Sequence, residues 1–186
     1  MNKAPPTSVR GRIREFIERH AHALGDNVIE VGSRYESPEQ WWRINRDLAQ
    51  GKWTGTDIEP GLGVDVVCDA ESLPLAFDTR SFSGAICSEV LEHLADPIAA
   101  LGAIGDVMRR DGLLVVTTLF AFPEHGYPND FYRYTRAGLE HVLASAGFRD
   151  IQTEYAGALV TYLDDHGEGR VNYREIPMHV FATALA

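Results

Sequence analysis

A doubly wound, mostly parallel α/β sheet is the fold class this sequence predicts, and three observations predict it. Short apolar runs alternate along the chain with segments of helical periodicity. One run, Leu113-Leu-Val-Val-Thr-Thr-Leu119, is nearly continuous in the way a central strand covered on both faces must be. Turn formers such as Gly25, Gly32, Asp111-Gly112 and Gly147 stand where one pattern gives way to the other.

The elements follow in order. Val9, Ile13, Phe16, Ile17 and Leu24 recur at helical spacing, Thr7 or Ser8 can cap them, and Gly25 can end them, which predicts an N-terminal helix over 8–25. Asn27 to Gly32 reads as a buried strand entering a turn. Ser37-Pro38-Glu39-Gln40 reads as a helix start, with Trp41, Ile44 and Leu48 on one face behind it. Lys52 to Asp57, Val64 to Cys68 and Phe82 to Cys87 give three more strands. Asp96-Pro97 opens a helix whose apolar face is Ile98, Leu101, Ile104 and Met108, with Arg109 and Arg110 at its negative end. The 113–119 strand runs into a long aromatic loop, 120–134. Thr135 then caps a helix carrying Leu139, Val142, Leu143 and Ala146, which stops at Gly147. Arg149 to Tyr155 and His179 to Leu185 are two further strands with a polar segment, 157–177, between them.

Composition narrows the classes. The 186 residues suit one domain, 1–186, with 45% hydrophobic and 24% charged residues in ordinary globular proportion. A formal net charge of −10 speaks against a general nucleic-acid binder, and the local cluster Arg10, Arg12, Arg14 and Arg19 reads as a solvated helix face. No run approaches the roughly 20 apolar residues of a membrane span. Met1 to Arg14 lacks an apolar signal core, so a cytoplasmic location is expected. Cys68 and Cys87 read as free thiols in strand-like settings.

Sheets of this kind bind ligands beyond the carboxyl ends of their strands, near the switch in strand order. Four segments should converge there: 32–36, 57–61, 87–93 and 120–134. An acidic residue closing the second strand, after a glycine turn on the first, suits ribose hydroxyls, because its carboxylate accepts both protons. The turn Gly32-Ser33-Arg34-Tyr35-Glu36 has a single glycine, which disfavours the pyrophosphate of a nicotinamide dinucleotide, and no phosphate-binding P-loop occurs. A cofactor with adenine, ribose and an amino-acid tail fits better. The same carboxylates have plainer uses: Glu30 as a strand-end charge, Asp57 and Asp69 as turn caps.

Val28-Ile-Glu-Val-Gly32, Thr54-Gly-Thr-Asp57-Ile58, Val67-Cys-Asp69-Ala70-Glu71-Ser-Leu-Pro74, Cys87-Ser-Glu-Val-Leu-Glu-His93 and Val107-Met-Arg-Arg-Asp-Gly-Leu-Leu114 resemble, in order, the motifs of class I methyltransferases that use S-adenosylmethionine. The resemblance spans about Asn27 to Gly147. It implies a Rossmann-like, seven-stranded, mostly parallel sheet with an antiparallel C-terminal strand and helices on both faces. It implies S-adenosylmethionine as cofactor, with Glu30 and Gly32 at the methionine end and Asp57 on the ribose hydroxyls. Ile58 joins the same cofactor-binding set, Asp69 and Ala70 read the adenine, and Ser88 stands beside the methionine moiety. The departure is the loss of the second and third glycines of the usual G-x-G-x-G.

Methyl transfer from a sulfonium is an in-line displacement, so positioning supplies much of the catalysis. A base is needed when the acceptor must lose a proton, as an alcohol or phenol does. His125, in Pro123-Glu-His-Gly-Tyr-Pro128, is the candidate base, because its loop follows the central strand and histidine titrates near neutrality; a surface histidine is the plainer alternative. Glu89-Val-Leu-Glu92-His93 resembles the divalent-metal ligands of small-RNA 2′-O-methyltransferases and of some ubiquinone-pathway O-methyltransferases. Many methyltransferases carry such a run with no metal, and none is expected here. The expected function is methylation of a small-molecule acceptor, oxygen favoured, with 120–134 and 157–177 as acceptor-side loops. The alternatives are a non-catalytic partner subunit that binds the cofactor or a nucleoside, and a nicotinamide oxidoreductase. Self-association stays open.

Overall fold

The computed structural model describes residues 9–40, 44–156, 160–165 and 171–186, with the side chains of residue 9 and of 160–165 and 171–176 left out of the description. The strands are β1 (Asn27–Val31), β2 (Lys52–Asp57), β3 (Val66–Val67), β4 (Phe82–Ser88), β5 (Met108–Leu119), β6 (Arg149–Ala156), β7 (Val160–Asp165), β8 (Val171–Ile176) and β9 (His179–Leu185). The helices are α1 (Val9–His20), α2 (Leu73–Ala76), α3 (Pro97–Val107) and α4 (Arg136–Ser145). Seven strands form one sheet in the order β3-β2-β1-β4-β5-β9-β6, while β7 and β8 pair as a separate antiparallel ribbon. The first five strands are parallel, and β9 runs antiparallel to both β5 and β6. The strand order reverses at β1, which lies between β2 and β4.

Both sheet faces are covered, which explains the apolar runs. On one face α1 contributes Ile13, Phe16 and Ile17 against Val28, Trp53, Ile86, Val115 and Phe181. On the other, Leu101, Ile104 and Val107 of α3 and Leu139 and Leu143 of α4 pack on Ile29, Cys87, Leu114, Val116 and Val180. Asp96 caps α3 by accepting from Ala99 N at 3.0 Å, and Thr135 caps α4 by accepting from Gly138 N at 3.0 Å. Gly25 and Gly147, at φ +81° and +97°, take the left-handed geometry that a glycine allows after a helix.

Several boundaries differ from the sequence-based reading. The helix expected from Ser37 does not form among the described residues. Gln40 does reach back, but to Glu36 N at 2.7 Å, closing a local turn, and a 3-10 segment, Asn45–Leu48, is the helical piece there among the described residues. Trp41 lies outside the described residues. Arg109 and Arg110 belong to β5 rather than to the end of α3, and Arg109 pairs with Asp26 at 3.0 Å. Ile98 is exposed, because Ala100, Ala103 and Val107 complete the α3 face instead. The third strand shortens to two residues. The expected cap of the first helix, Thr7 or Ser8, falls outside the described residues. The polar segment 157–177 contains the β7–β8 ribbon.

Gly55 in β2 sets how closely the next turn can approach, since a Cβ there would stand 1.9 Å from Gly63 O and 2.6 Å from Ser33 Oγ. Gly55→Ala should therefore lower the unfolding free energy by about 2 kcal/mol or more through overpacking against backbone, read as a shifted urea midpoint. An unchanged midpoint would show that this contact yields without cost.

Candidate functional site

The carboxyl ends of β1, β2, β4 and β5 meet at the switch in strand order. Beyond β1, Gly32 N and Ser33 N both donate to Thr56 O, at 2.8 and 3.0 Å. Gly32 has φ +73°, and a Cβ on it would lie 2.2 Å from Val90 Cγ2, so this turn presses directly on the segment after β4. Ser33 Oγ ties the turn to Gly63 O at 3.0 Å, and Tyr35 N bonds Leu62 O at 3.0 Å. The expected convergence of 32–36, 57–61, 87–93 and 120–134 is present: Arg34 N approaches Asp57 Oδ2 at 3.4 Å, and Phe131 N bonds Glu92 O at 2.7 Å.

The individual candidates differ in what surrounds them. Asp57, half-buried at the end of β2, accepts Glu59 N on Oδ1 at 3.1 Å and the longer Arg34 amide contact on Oδ2. It thus caps its own turn, yet each carboxylate oxygen keeps a second lone pair for a hydroxyl. Ile58 beside it is 63% exposed, an apolar surface next to a carboxylate. Asp69 caps a 3-10 turn through Glu71 N at 2.9 Å, and Ala70 is buried behind it. Glu30 is buried and its oxygens accept from Asn45 Nδ2 at 2.6 Å and Trp53 Nε1 at 3.0 Å. Its side chain therefore braces the 45–48 segment and β2. Ser88 Oγ shares a 2.8 Å hydrogen bond with Thr117 Oγ1 on the adjoining strand.

The loop after β5 is anchored by charge. Asp130 receives Arg133 Nη1 at 2.6 Å, Arg133 Nη2 at 2.8 Å and the His125 amide at 2.8 Å. The Arg133 guanidinium, then the His125 amide, hold the Asp130 carboxyl well below the usual carboxylate range. Arg133 also bonds the carbonyls of Phe122 and Pro123. His125 is therefore set by its backbone; its Nδ1 lies 3.3 Å from Asp130 Oδ2 and its ring stacks edge-on to His93 at 4.9 Å between centroids.

Glu92 is fully enclosed and accepts Thr118 Oγ1 at 2.8 Å, while its Oε1 has no hydrogen-bond partner. His93 Nδ1 meets Asn129 O at 2.5 Å. Glu92, His93 and His125 bring one ligand atom each within 4.8 Å of one another, which is the set among the described residues that can hold a divalent ion. Glu89 is not part of that set. Its Oε2 lies 2.9 Å from Nε2 of the buried His179, at the start of β9. Sequence reasoning missed this pair, because His179 carried no signal beyond opening a strand, and 90 residues separate the two.

Burial, and then the Glu89 charge, push the Glu92 carboxyl above its ordinary value of 4.5. The folded protein thus holds a proton that the unfolded chain releases above that value, so this group's contribution to stability falls as pH climbs from 4.5 toward the raised value. Glu92→Gln keeps the acceptor for Thr118 and removes that cost. Its Tm should exceed the parent's by about 3 °C or more at neutral pH, and the gap should close near pH 4. A gap independent of pH would contradict a protonated Glu92.

Comparison with known proteins agrees with this architecture. The family model described as "Methyltransferase domain" matches residues 7–153. A SAM-dependent methyltransferase from Archaeoglobus fulgidus superposes with a TM-score of 0.68 at 16% identity, over 95% of this chain and 94% of that one. The 1,6-didemethyltoxoflavin-N1-methyltransferase of Burkholderia thailandensis, solved with 1,6-didemethyltoxoflavin and S-adenosylhomocysteine, superposes with a TM-score of 0.63 at 15% identity, over 96% and 78%. The ubiquinone biosynthesis O-methyltransferase of Parvibaculum lavamentivorans is 42% identical over 62 residues, 33% of this chain and only 24% of that protein's length. With the glycine turn, the β1 switch and the antiparallel β9 in place, the chain belongs to the methyltransferase-domain family and shares the fold of these S-adenosylmethionine-dependent neighbours.

Proposed function

We propose that the protein transfers the methyl group of S-adenosylmethionine to a small-molecule acceptor, with oxygen favoured as the methylated atom. The observation that carries this reading is the meeting of the Gly32 turn and Asp57 with the 120–134 loop at one end of the sheet. Asp57 would take the ribose hydroxyls and Ile58 would lie against the purine, with Asp69 and Ala70 at its edge. Gly32 and Ser88 would flank the methionine portion, and Glu30 would act there through the segment it braces. The cofactor, when bound, supplies the electrophilic methyl. The chain's part is to orient the acceptor, keep water out and take up the acceptor proton. His125 is the residue proposed for that proton, set on a loop that Asp130 and Arg133 anchor.

The preference for oxygen rests on His125, since a hydroxyl acceptor needs a base, and on the local match to the ubiquinone biosynthesis O-methyltransferase. The chain spans about a quarter of that relative, so the likeness suggests a chemistry and not a substrate. Among the described residues no helix is long and apolar enough to cross a membrane.

Calorimetry tests the reading. S-adenosylmethionine and S-adenosylhomocysteine should bind, and Asp57→Ala should weaken both by about 1–3 kcal/mol through lost charge-assisted hydrogen bonds. NADH binding in their place would revive an oxidoreductase, and equal affinity in a folded Asp57→Ala would remove the ribose from this carboxylate. Against a panel of phenols and alcohols, His125→Ala should depress release of S-adenosylhomocysteine far more than it weakens cofactor binding. Unchanged turnover would take the base role from His125.

A further inference from the structure

Glu89 has a backbone φ of +55°, a left-handed geometry that a glutamate adopts only where its surroundings over-determine it. Two contacts do so. Its amide donates to Thr117 O at 2.8 Å, which fixes it to the end of β5, and its Oε2 sits 2.9 Å from His179 Nε2. A carboxylate only accepts, so Nε2 carries the proton in this contact. The other oxygen, Oε1, is buried with no hydrogen-bond partner, and so is His179 Nδ1 on a residue 2% exposed. Buried acceptors without donors are costly, so each that persists calls for a donor from water or from a ligand.

The position of this pair gives the orphan a meaning. Glu89 directly follows Ser88, and the next residue, Val90, is the one pressed against Gly32. His179 is paired across β5 with Leu119, at the same end of the sheet. The dyad therefore stands between the glycine turn on one side and the β5 and β9 strand ends on the other.

Resting on the cofactor site proposed above, we propose that Glu89, braced by His179, is an acceptor-orienting residue at the point of methyl transfer, taking a hydrogen-bond donor or a positive charge that lies next to the acceptor's nucleophilic atom. His179 is a positioning residue: it holds Oε2 and so aims Oε1. The acceptor class that follows is one with a hydroxyl or amine donor beside the atom to be methylated.

The test needs no knowledge of the acceptor. Sinefungin is the cofactor analogue in which an amine-bearing carbon replaces the methyl sulfonium, so it places an ammonium where the methyl would be; S-adenosylhomocysteine lacks that group. Both are titrated calorimetrically into the wild type, Glu89→Gln, His179→Gln and His179→Leu. Glu89→Gln should weaken sinefungin about tenfold or more while leaving S-adenosylhomocysteine within about threefold. His179→Gln, which keeps an N–H donor for Glu89, should retain most of the sinefungin affinity that His179→Leu loses. Equal effects on the two ligands would mark Glu89 as merely structural, and no effect on either would place it away from the transferred methyl; each outcome overturns the proposal. Failure of the wild type to bind S-adenosylhomocysteine would instead overturn the cofactor site, and this inference with it.

Discussion

Two amides, those of Gly32 and Ser33, converge on the single carbonyl of Thr56, and the end of the sheet is organised around that convergence. It requires the chain to reverse tightly after β1, which Gly32 does at φ +73°. It also brings the turn so close to β4 that a side chain at this position would collide with Val90. The three strand ends are thereby held in fixed relation before any ligand is present. A ligand spanning β1, β2 and β4 would meet an edge these contacts have already ordered, so binding it would cost little further ordering.

Strand alternation sorts the remaining groups. In β5, Val115 packs on the α1 face and Val116 on the opposite one, so Thr117 and Thr118 follow onto opposite faces in turn. Thr117 is hydrogen-bonded to Ser88, and Thr118 donates to Glu92. The E-x-x-E-H run after β4 is divided in the same way. Glu89 turns to His179 and the β9 strand, whereas Glu92 and His93 turn toward the Asp130–Arg133 loop. One short motif therefore serves two sets of partners, and this is why spacing alone gave no assignment of its charges.

The architecture was readable because apolar runs and turn residues report directly on burial: β1, β2 and β9 lie within a residue of their expected bounds, and Asp96 and Thr135 cap the helices they were expected to cap. Where local chemistry was read without tertiary context, the outcome differed. Gln40 reaches back to Glu36 N within a turn rather than to Ser37 at a helix start, and the chain there is held by the bonds of Asn45 to Glu30 and of Arg14 to the carbonyl of Ile44. Arg109, which by sequence alone suits the negative end of a helix, is instead paired with Asp26, 83 residues away. The Glu89–His179 contact is of the same kind. Pairings across such distances leave no mark on either neighbourhood, so no local pattern could have revealed them.

The proposed function requires a cofactor across the β1–β2–β4 edge, with its ribose on Asp57 and its sulfur toward Glu89. A crystal structure with S-adenosylhomocysteine tests it most directly. Both ribose hydroxyls should lie within hydrogen-bond distance of Asp57, and the thioether beside the Ser88–Glu89 peptide. A nucleoside bound elsewhere, or with its ribose away from Asp57, would contradict it.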